Sequence, residues 1–250
     1  EILRKKGIAK ATKRMGRVAS EGLISIFEKD NKLSIAEINC ETDFVAKNEE
    51  FIKFIEEVSK IVLMEKRNIK NINSAEMQNK KSIENNLIDL ISKIGEKITL
   101  RRVDSYSDNE TKNFSYVHSA IKKNVGKLGV ILSLDTKKPM NEIQEFGKQL
   151  TMHIAATSPL ALDKGDLNQE LLKKENEIII EELKNSGKDS KIIDKISIGK
   201  LNKFINDNTL LNQDWIMDPK KKVKDILNEV AGSEKIIIKK FTRFKVGEGV

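Results

Sequence analysis

Cysteine is almost absent from this chain of 250 residues, which contains Cys40 and no other. A single cysteine excludes an internal disulfide and a zinc cluster built from cysteines, and it fits a reducing compartment. No uninterrupted apolar run approaches the roughly 20 residues of a membrane helix, and no signal peptide is visible. The sequence therefore predicts a soluble, cytoplasmic protein, in a bacterial cytosol or an organelle matrix.

Histidine is nearly as scarce, and catalytic motifs are missing. Neither His118 nor His153 has an aspartate, serine or cysteine at the spacing of a catalytic triad or a metal site. The phosphate-binding patterns G-x-x-x-x-G-K-[ST] and G-x-G-x-x-G are absent as well. These absences argue against an enzyme, a metal site and a bound cofactor. His153, on the apolar face of a predicted helix, is expected to be a core residue.

Positive charge is in excess, with a net charge of +8 and an isoelectric point near 9.3. Such a balance suggests an acidic partner, either nucleic acid or an acidic protein surface. Residues 1–20 concentrate basic side chains in a predicted helix, which fits either a nucleic-acid arm or a solvated linker helix. Because no aromatic residue interleaves these charges for base stacking, we favour the linker helix.

Residues 40–51 join a predicted strand to a predicted helix. From Phe51 to Val62 apolar residues recur at helical spacing. At the junction an acid and a large aromatic, Asp43 and Phe44, stand where a simple turn residue would suffice. We call this pair the wedge.

Two interpretations of the wedge are open. In the first, Thr42 or Asp43 caps the following helix and Phe44 folds into the core. In the second, the junction presents both wedge residues outward, as an aromatic anchor beside a charge in an interface hot spot. The residues alone favour the first, because helix caps are common and aromatics in loops are often buried.

The string NCETDFVAKNEEF, from Asn39 to Phe51, resembles the signature of elongation factor Ts, the nucleotide-exchange factor of translation. Further matching motifs follow in the family's order: Lys93-Ile94-Gly95-Glu96 with Ile98, Arg101-Arg102-Val103, Ser115-Tyr116-Val117-His118, Met152-His153-Ile154-Ala155-Ala156 with Pro159, and Arg243-Phe244-Lys245-Val246-Gly247-Glu248-Gly249. The resemblance covers nearly the whole chain. The family usually opens with a small helical domain. Since this sequence starts at Glu1, inside a predicted helix, we expect it to lack that domain.

The resemblance implies a partner and an activity. The partner is expected to be elongation factor Tu, bound to GDP and Mg²⁺ and then nucleotide-free, and the activity to be guanine-nucleotide exchange. The implied site comprises the wedge residues Asp43 and Phe44, the flanking Thr42, Val45, Ala46 and Lys47, and secondary contacts at Ile94, Gly95 and His118. A homodimer is compatible with the sequence but not required, and no stable nucleic-acid complex is expected. The alternative is a basic RNA-binding or other translation-associated protein without exchange activity.

Periodicity and resemblance together predict an α+β fold with two related lobes of antiparallel sheet packed with helices, plus a protruding antiparallel helical hairpin. The first expected elements are a β-hairpin over 23–39 with its turn at Asp30-Asn31, a helix to about Lys66, and a surface loop with some helix over 67–81. A helix from Ser82 ended by Gly95 follows, then strands over Ile98–Val103, about Ser115–Ala120 and Leu128–Leu134, and a helix from Pro139 to about Thr157. Each assignment follows from apolar spacing or from a turn or cap residue.

The predicted domain boundaries are 1–20 for the linker helix, 21–118 for the N-terminal core lobe, 119–168 and 209–250 for the two parts of the C-terminal core lobe, and 169–208 for the helical hairpin. The hairpin carries two predicted apolar stripes, one of Leu171, Leu172, Ile178, Ile179 and Leu183 and the other of Ile192, Ile193, Ile196, Leu201 and Phe204. Either the stripes bury each other or the hairpin is a contact element. A loop containing Trp215, a helix over Val223–Val230 and a strand over Lys235–Val246 are expected to follow.

Overall fold

The computed structural model describes residues 14, 16–66, 68–186 and 190–250. Most of the predicted basic helix over 1–20 therefore lies outside the described residues. The chain divides into two compact units, one formed by Glu1–Ala155 with Lys239–Val250 and the other by Ala156–Ile238. Antiparallel sheets and the seven helices of the described part confirm the α+β class. The predicted lobe boundaries stay a prediction.

A four-stranded antiparallel sheet forms the base of the first unit. Its strands are β1 (Glu21–Lys29), β2 (Lys32–Cys40), β3 (Ile98–Tyr106) and β5 (Val125–Gly126), in the order β3-β2-β1-β5. Residues of β2 are buried almost without a break, because this central strand has a neighbour on each edge and is covered by helix and sheet.

The predicted turn between β1 and β2 is confirmed. Asp30 and Asn31 have φ angles of 50° and 60°, the left-handed values that a two-residue hairpin turn requires at both positions. The Asn31 side chain also donates a hydrogen bond to the Thr111 carbonyl and accepts one from the Asn113 amide. The turn residue Asn31 thus also connects the hairpin to strand β4 (Thr111–His118).

Helices cover this sheet: α1 (Asp43–Ala46), α2 (Glu49–Met64) and α3 (Ile83–Ile94). The Asn48 carboxamide oxygen caps α2 by accepting from the Glu50 and Phe51 amides. Ser82 caps the start of α3, and Gly95 ends it with a φ of 91°, so both predicted ends of that helix are confirmed.

The described segment 68–81 is more buried than the surface loop predicted over 67–81. A short 3₁₀ helix spans Ile72–Ser74, and Ile72, Ala75 and Met77 are buried in the core beneath α2 and α3. Three isolated apolar residues among polar ones are enough to anchor the segment, although they create no periodic pattern that would indicate burial.

A second sheet of the order β4-β6-β9 consists of Thr111–His118, Leu128–Thr136 and Ile236–Lys245. Helix α4 (Met140–Thr157) follows β6, and the residues predicted to face inward, Ile143, Phe146, Leu150, Ile154 and Ala155, are buried. His153 is also fully buried in this helix, as expected of a core histidine.

A buried charge lies in the middle of β2. The carboxylate of Glu37 is completely buried and forms ion pairs with Arg101 and Arg102 of β3. It also accepts a hydrogen bond from the Gly247 amide at 3.2 Å. The Arg102 guanidinium stacks over the Phe244 ring, 4.3 Å from its centroid. These contacts connect the family motifs at 101–103 and 243–249 through one carboxylate.

In the second unit, α5 (Gln169–Asn185) and α6 (Ser190–Asn208) form the predicted antiparallel hairpin. Their stripes bury each other at Ile179, Leu183 and Ile193. The prediction is wrong for Leu171 and Ile178, which are 36% and 53% exposed. The exposed side of each helix therefore carries apolar residues that the hairpin itself leaves uncovered.

Trp215 belongs to a small sheet and not to the predicted loop. Strand β7 (Asp214–Trp215) pairs with β8 (Asp218–Lys222), and Trp215 is buried. Helix α7 (Val223–Ala231) follows directly. Two residues are too few for strand periodicity to appear in a sequence, so the pairing left no detectable signal.

Candidate functional site

The wedge lies on α1, a single helical turn at the end of β2. Phe44 is 79% exposed, whereas Val45 and Ala46 are buried in the core of the first unit. The helical turn thus directs its two small apolar residues inward and its large aromatic outward. The interpretation of Phe44 as a core residue is wrong, and the capping role belongs to Asn48.

Asp43 forms an ion pair with Lys47, one turn later in the chain. Its carboxylate accepts a hydrogen bond from the Lys47 ammonium at 2.8 Å, and both side chains are at least half exposed. This bond lowers the pKa of Asp43 below its usual range and raises the pKa of Lys47. The wedge therefore presents an exposed ion pair beside an exposed aromatic ring at neutral pH.

The chain entering α1 is fixed by Glu96, which follows the Gly95 cap of α3. One carboxylate oxygen accepts hydrogen bonds from the Glu41 and Thr42 amides, at 3.1 and 3.0 Å. The other accepts from the Thr42 hydroxyl at 2.6 Å. Two consecutive residues are thus bound to one side chain immediately before the wedge.

The Glu41 side chain also forms hydrogen bonds at this junction. Its carboxylate accepts hydrogen bonds from the Lys97 amide and the Arg17 guanidinium. The Lys97 amide bond is the largest cause of a lowered pKa at Glu41. The Arg14 guanidinium donates to the Ile91 carbonyl in the last turn of α3, at 2.8 Å. Residues 41–42 therefore donate hydrogen bonds to Glu96, and the Lys97 amide donates one back to Glu41.

This bonding brings predicted site residues together. Glu96 follows Ile94 and Gly95 in the chain, and Thr42 precedes the wedge, so the bonds between Glu96 and Thr42 place the two predicted contact segments side by side. Ile94 is half-buried. The sequence motifs contain Glu96, but its role was missed, because nothing in their spacing shows which residues they contact.

Comparison with known proteins identifies the family. A family model described as Elongation factor TS matches residues 41–248. The protein named Elongation factor Ts from Bartonella quintana (strain Toulouse) is 39% identical over 254 residues, which cover 99% of this chain and 82% of the relative. The chain belongs to the elongation factor Ts family.

Other elongation factor Ts proteins show the same extent of similarity. The relative from Nitrobacter hamburgensis is 37% identical over 250 residues, covering 99% of this chain and 81% of the relative. The relative from Gluconobacter oxydans is 35% identical over 248 residues with the same coverage. Membership in the elongation factor Ts family makes the chain a translation elongation factor that acts in protein biosynthesis.

The third predicted contact of the elongation factor Ts site, His118, is exposed at the end of β4. Its Nδ1 atom lies 3.0 Å from the Tyr116 hydroxyl oxygen. Among the hydrogen bonds and ion pairs of the described residues, none joins His118 to the wedge or to Gly95. The structure therefore links Ile94 and Gly95 to the wedge through Glu96, and places His118 on a different sheet.

The described residues around the wedge offer no reactive thiol and no metal-binding cluster. Cys40 is fully buried, and burial raises the pKa of its thiol to about 12, so the thiol stays neutral and weakly nucleophilic at neutral pH. Across the described ranges, no group of three or more His, Cys, Asp and Glu side chains is arranged to hold a metal ion. Of the helices described, none combines the length and apolar character needed to cross a membrane.

Proposed function

We propose that this chain is a guanine-nucleotide exchange factor that binds elongation factor Tu·GDP and promotes GDP release, acting by binding alone in the cytoplasm. The exposure of Phe44 supports the proposal most directly. At 79% exposure this ring has no stabilising role in the core, yet it stands on a turn anchored at both ends. A rigidly held aromatic beside a charge is the composition of an interface hot spot.

The proposed mechanism acts on the Mg²⁺ and phosphate site of the partner. Mg²⁺ binds through oxygen ligands at short and nearly ideal distances, so a small displacement of a ligand-bearing element weakens it. Phe44 would insert between side chains of a helix pair near that site. Asp43, whose carboxylate pairs with Lys47, would supply a competing charged contact. GTP would then enter the empty site and release the complex.

Linkage sets the size of the effect. If the factor weakens GDP binding, GDP weakens binding of the factor by the same free energy. Each tenfold change in affinity corresponds to about 1.4 kcal/mol, and a buried aromatic hot spot typically contributes about 2–4 kcal/mol. Phe44 could therefore account for roughly two decades of stimulation. Ile94, Gly95, His118 and the helical hairpin would supply further affinity at other parts of the partner.

The test is stopped-flow release of fluorescent GDP from elongation factor Tu. We expect the unmodified chain to accelerate release strongly and Phe44→Ala to lose at least tenfold of that acceleration, because the inserted ring is gone. Circular dichroism would show an unchanged fold, since the Phe44 side chain is mostly exposed to solvent. Met64→Ala is the matched control, because Met64 is 53% exposed and lies at the far end of α2.

Three results would contradict the proposal or part of it. Equal losses in Phe44→Ala and Met64→Ala would deny the wedge a specific role. Full activity in Phe44→Ala would move the action to Asp43 or to the secondary contacts. No acceleration by the unmodified chain, together with RNA affinity that falls steeply with salt, would favour the RNA-binding alternative.

A further inference from the structure

We propose that Glu96 is the positioning residue of the wedge, fixing the direction in which Phe44 points before the partner arrives. This inference rests on the proposed exchange function and assigns part of its efficiency to a residue outside the wedge. The observation that carries it is the convergence of three hydrogen bonds from Glu41 and Thr42 on one carboxylate.

Helix α1 is too short to orient the wedge by itself. It contains four residues, whereas isolated helices shorter than about 12–15 residues are marginal in water. Its opening bond is long, with the Ala46 amide 3.4 Å from the Thr42 carbonyl, whereas the Lys47 and Asn48 amides lie 3.2 and 3.0 Å from the Phe44 and Val45 carbonyls. The orientation of Phe44 must therefore come from the anchors at the two ends of α1.

The anchor at the end of α1 is apolar and the anchor at its start is polar. Val45 and Ala46 pack into the core and fix the end. At the start, Thr42 has extended backbone angles (φ −127°, ψ 158°), and Glu96 binds both its amide and its hydroxyl. Hydrogen bonds to a carboxylate are charge-assisted and stronger than neutral ones, so Glu96 holds the residue from which the helical turn starts.

An exposed aromatic needs this support more than a buried one. Phe44 has little packing of its own to select a direction. Ordering a flexible segment during association lowers the gain from binding, and a segment ordered in advance avoids that loss. Glu96 would thus raise exchange efficiency without contacting the partner, which distinguishes a positioning residue from a contact residue.

The test measures GDP release with Glu96→Ala, alone and combined with Phe44→Ala. We expect Glu96→Ala alone to lower the maximal release rate about tenfold, because the wedge loses its fixed direction. In the Phe44→Ala background the same change should lower the rate less than twofold, since no ring remains to be positioned. A general structural defect would lower the rate by equal factors in both backgrounds.

Two further variants keep the test decisive even if Glu96→Ala unfolds. Glu96→Gln retains an oxygen that accepts from the two amides and gains an NH₂ group that can donate to the Thr42 hydroxyl oxygen, so most of the activity should be rescued. Thr42→Val removes only the hydroxyl bond and should cause an intermediate loss. Hydrogen exchange should show faster exchange at the Glu41 and Thr42 amides in Glu96→Ala and near-normal rates elsewhere.

The outcomes separate the two proposals. Strong loss in Phe44→Ala with full activity in Glu96→Ala, or in Thr42→Val if the alanine variant unfolds, would overturn the positioning role alone. Equal factors in the two backgrounds would also overturn it. If the unmodified chain fails to accelerate GDP release, the exchange function fails and the positioning role fails with it.

Discussion

Single side chains determine how the wedge is presented. Phe44 faces solvent because Val45 and Ala46 occupy the inward side of the same turn. The pKa of Asp43 is lowered because Lys47 lies one turn along the chain. The sequence shows the second relation, since an acid and a lysine four residues apart on a helix are expected to pair. The first depends on which side of the turn meets the core, and that is a tertiary property.

The pairing of Asp43 predicts a specific pH dependence. The pKa of Asp43 is lowered in the folded chain, so its charge persists as pH falls through the usual carboxyl range and is lost only at the lowered pKa. The small stabilisation from the pair is accordingly complete above the usual carboxyl pKa and disappears towards the lowered one. Replacing the lysine in Lys47→Met should move the pKa of Asp43 up towards its usual range.

Carbon-13 NMR titration of the Asp43 carboxyl group measures this shift. Lys53→Met is the matched control, because Lys53 pairs with Glu49 in the next helix at 3.9 Å and should leave Asp43 unchanged. High salt should reduce the shift, as for any exposed ion pair. An unaltered titration in Lys47→Met would show that another group lowers the pKa.

At the scale of elements, local signals predicted a large part of the fold. Asp30-Asn31 required a tight turn, Ser82 and Gly95 marked both ends of α3, and helical spacing located α2 and α4. Contacts between distant parts of the chain were not predictable in the same way. Thr42 and Glu96 are 54 residues apart, and no periodicity or turn preference encodes their meeting.

The helical hairpin gives an element-scale prediction. Leu183 is buried between α5 and α6, whereas Ile178 on the same helix is 53% exposed. Leu183→Ala should destabilise the second unit by about 2–4 kcal/mol, because it removes buried apolar contacts and leaves a cavity. Ile178→Ala, the matched control, should change the free energy of unfolding by less than about 0.5 kcal/mol.

Urea denaturation followed by circular dichroism, with Trp215 fluorescence reporting on the second unit, measures both changes. Equal destabilisation by the two variants would mean that Ile178 is covered by something other than the hairpin partner helix. A small effect of Leu183→Ala would mean that the stripes do not bury each other in solution.

At the scale of the whole molecule, Glu37 connects segments that lie far apart in the sequence. Its carboxylate forms ion pairs with Arg101 and Arg102 and accepts a hydrogen bond from the Gly247 amide, which lies 210 residues away in the sequence. Gly247 has a φ of 75°, and a side chain there would lie 2.3 Å from the Ser20 carbonyl oxygen. The segment around Gly247 is therefore held at the first sheet by its hydrogen bond to Glu37, and its positive φ and its closeness to Ser20 both require glycine at this position.

Removing this carboxylate tests its contribution to stability. Glu37→Ala leaves two arginines without their buried counterion and should destabilise the fold by about 3–5 kcal/mol. Glu49→Ala removes an exposed, weak ion pair and should have almost no effect. Thermal unfolding of the two variants measures the difference. Similar melting temperatures would show that the ion pairs of Glu37 do not stabilise the fold.

The bonds between Glu96 and Thr42 also have a consequence for synthesis on the ribosome. The acceptor is made 54 residues after the donor, and ribosomes add about 5–20 residues per second, so at least roughly 3–10 s pass between them. During that interval the nascent wedge exists without its anchor. Under the proposed positioning role, the wedge of a growing chain therefore takes its fixed direction only after α3 and Glu96 have left the ribosome and folded.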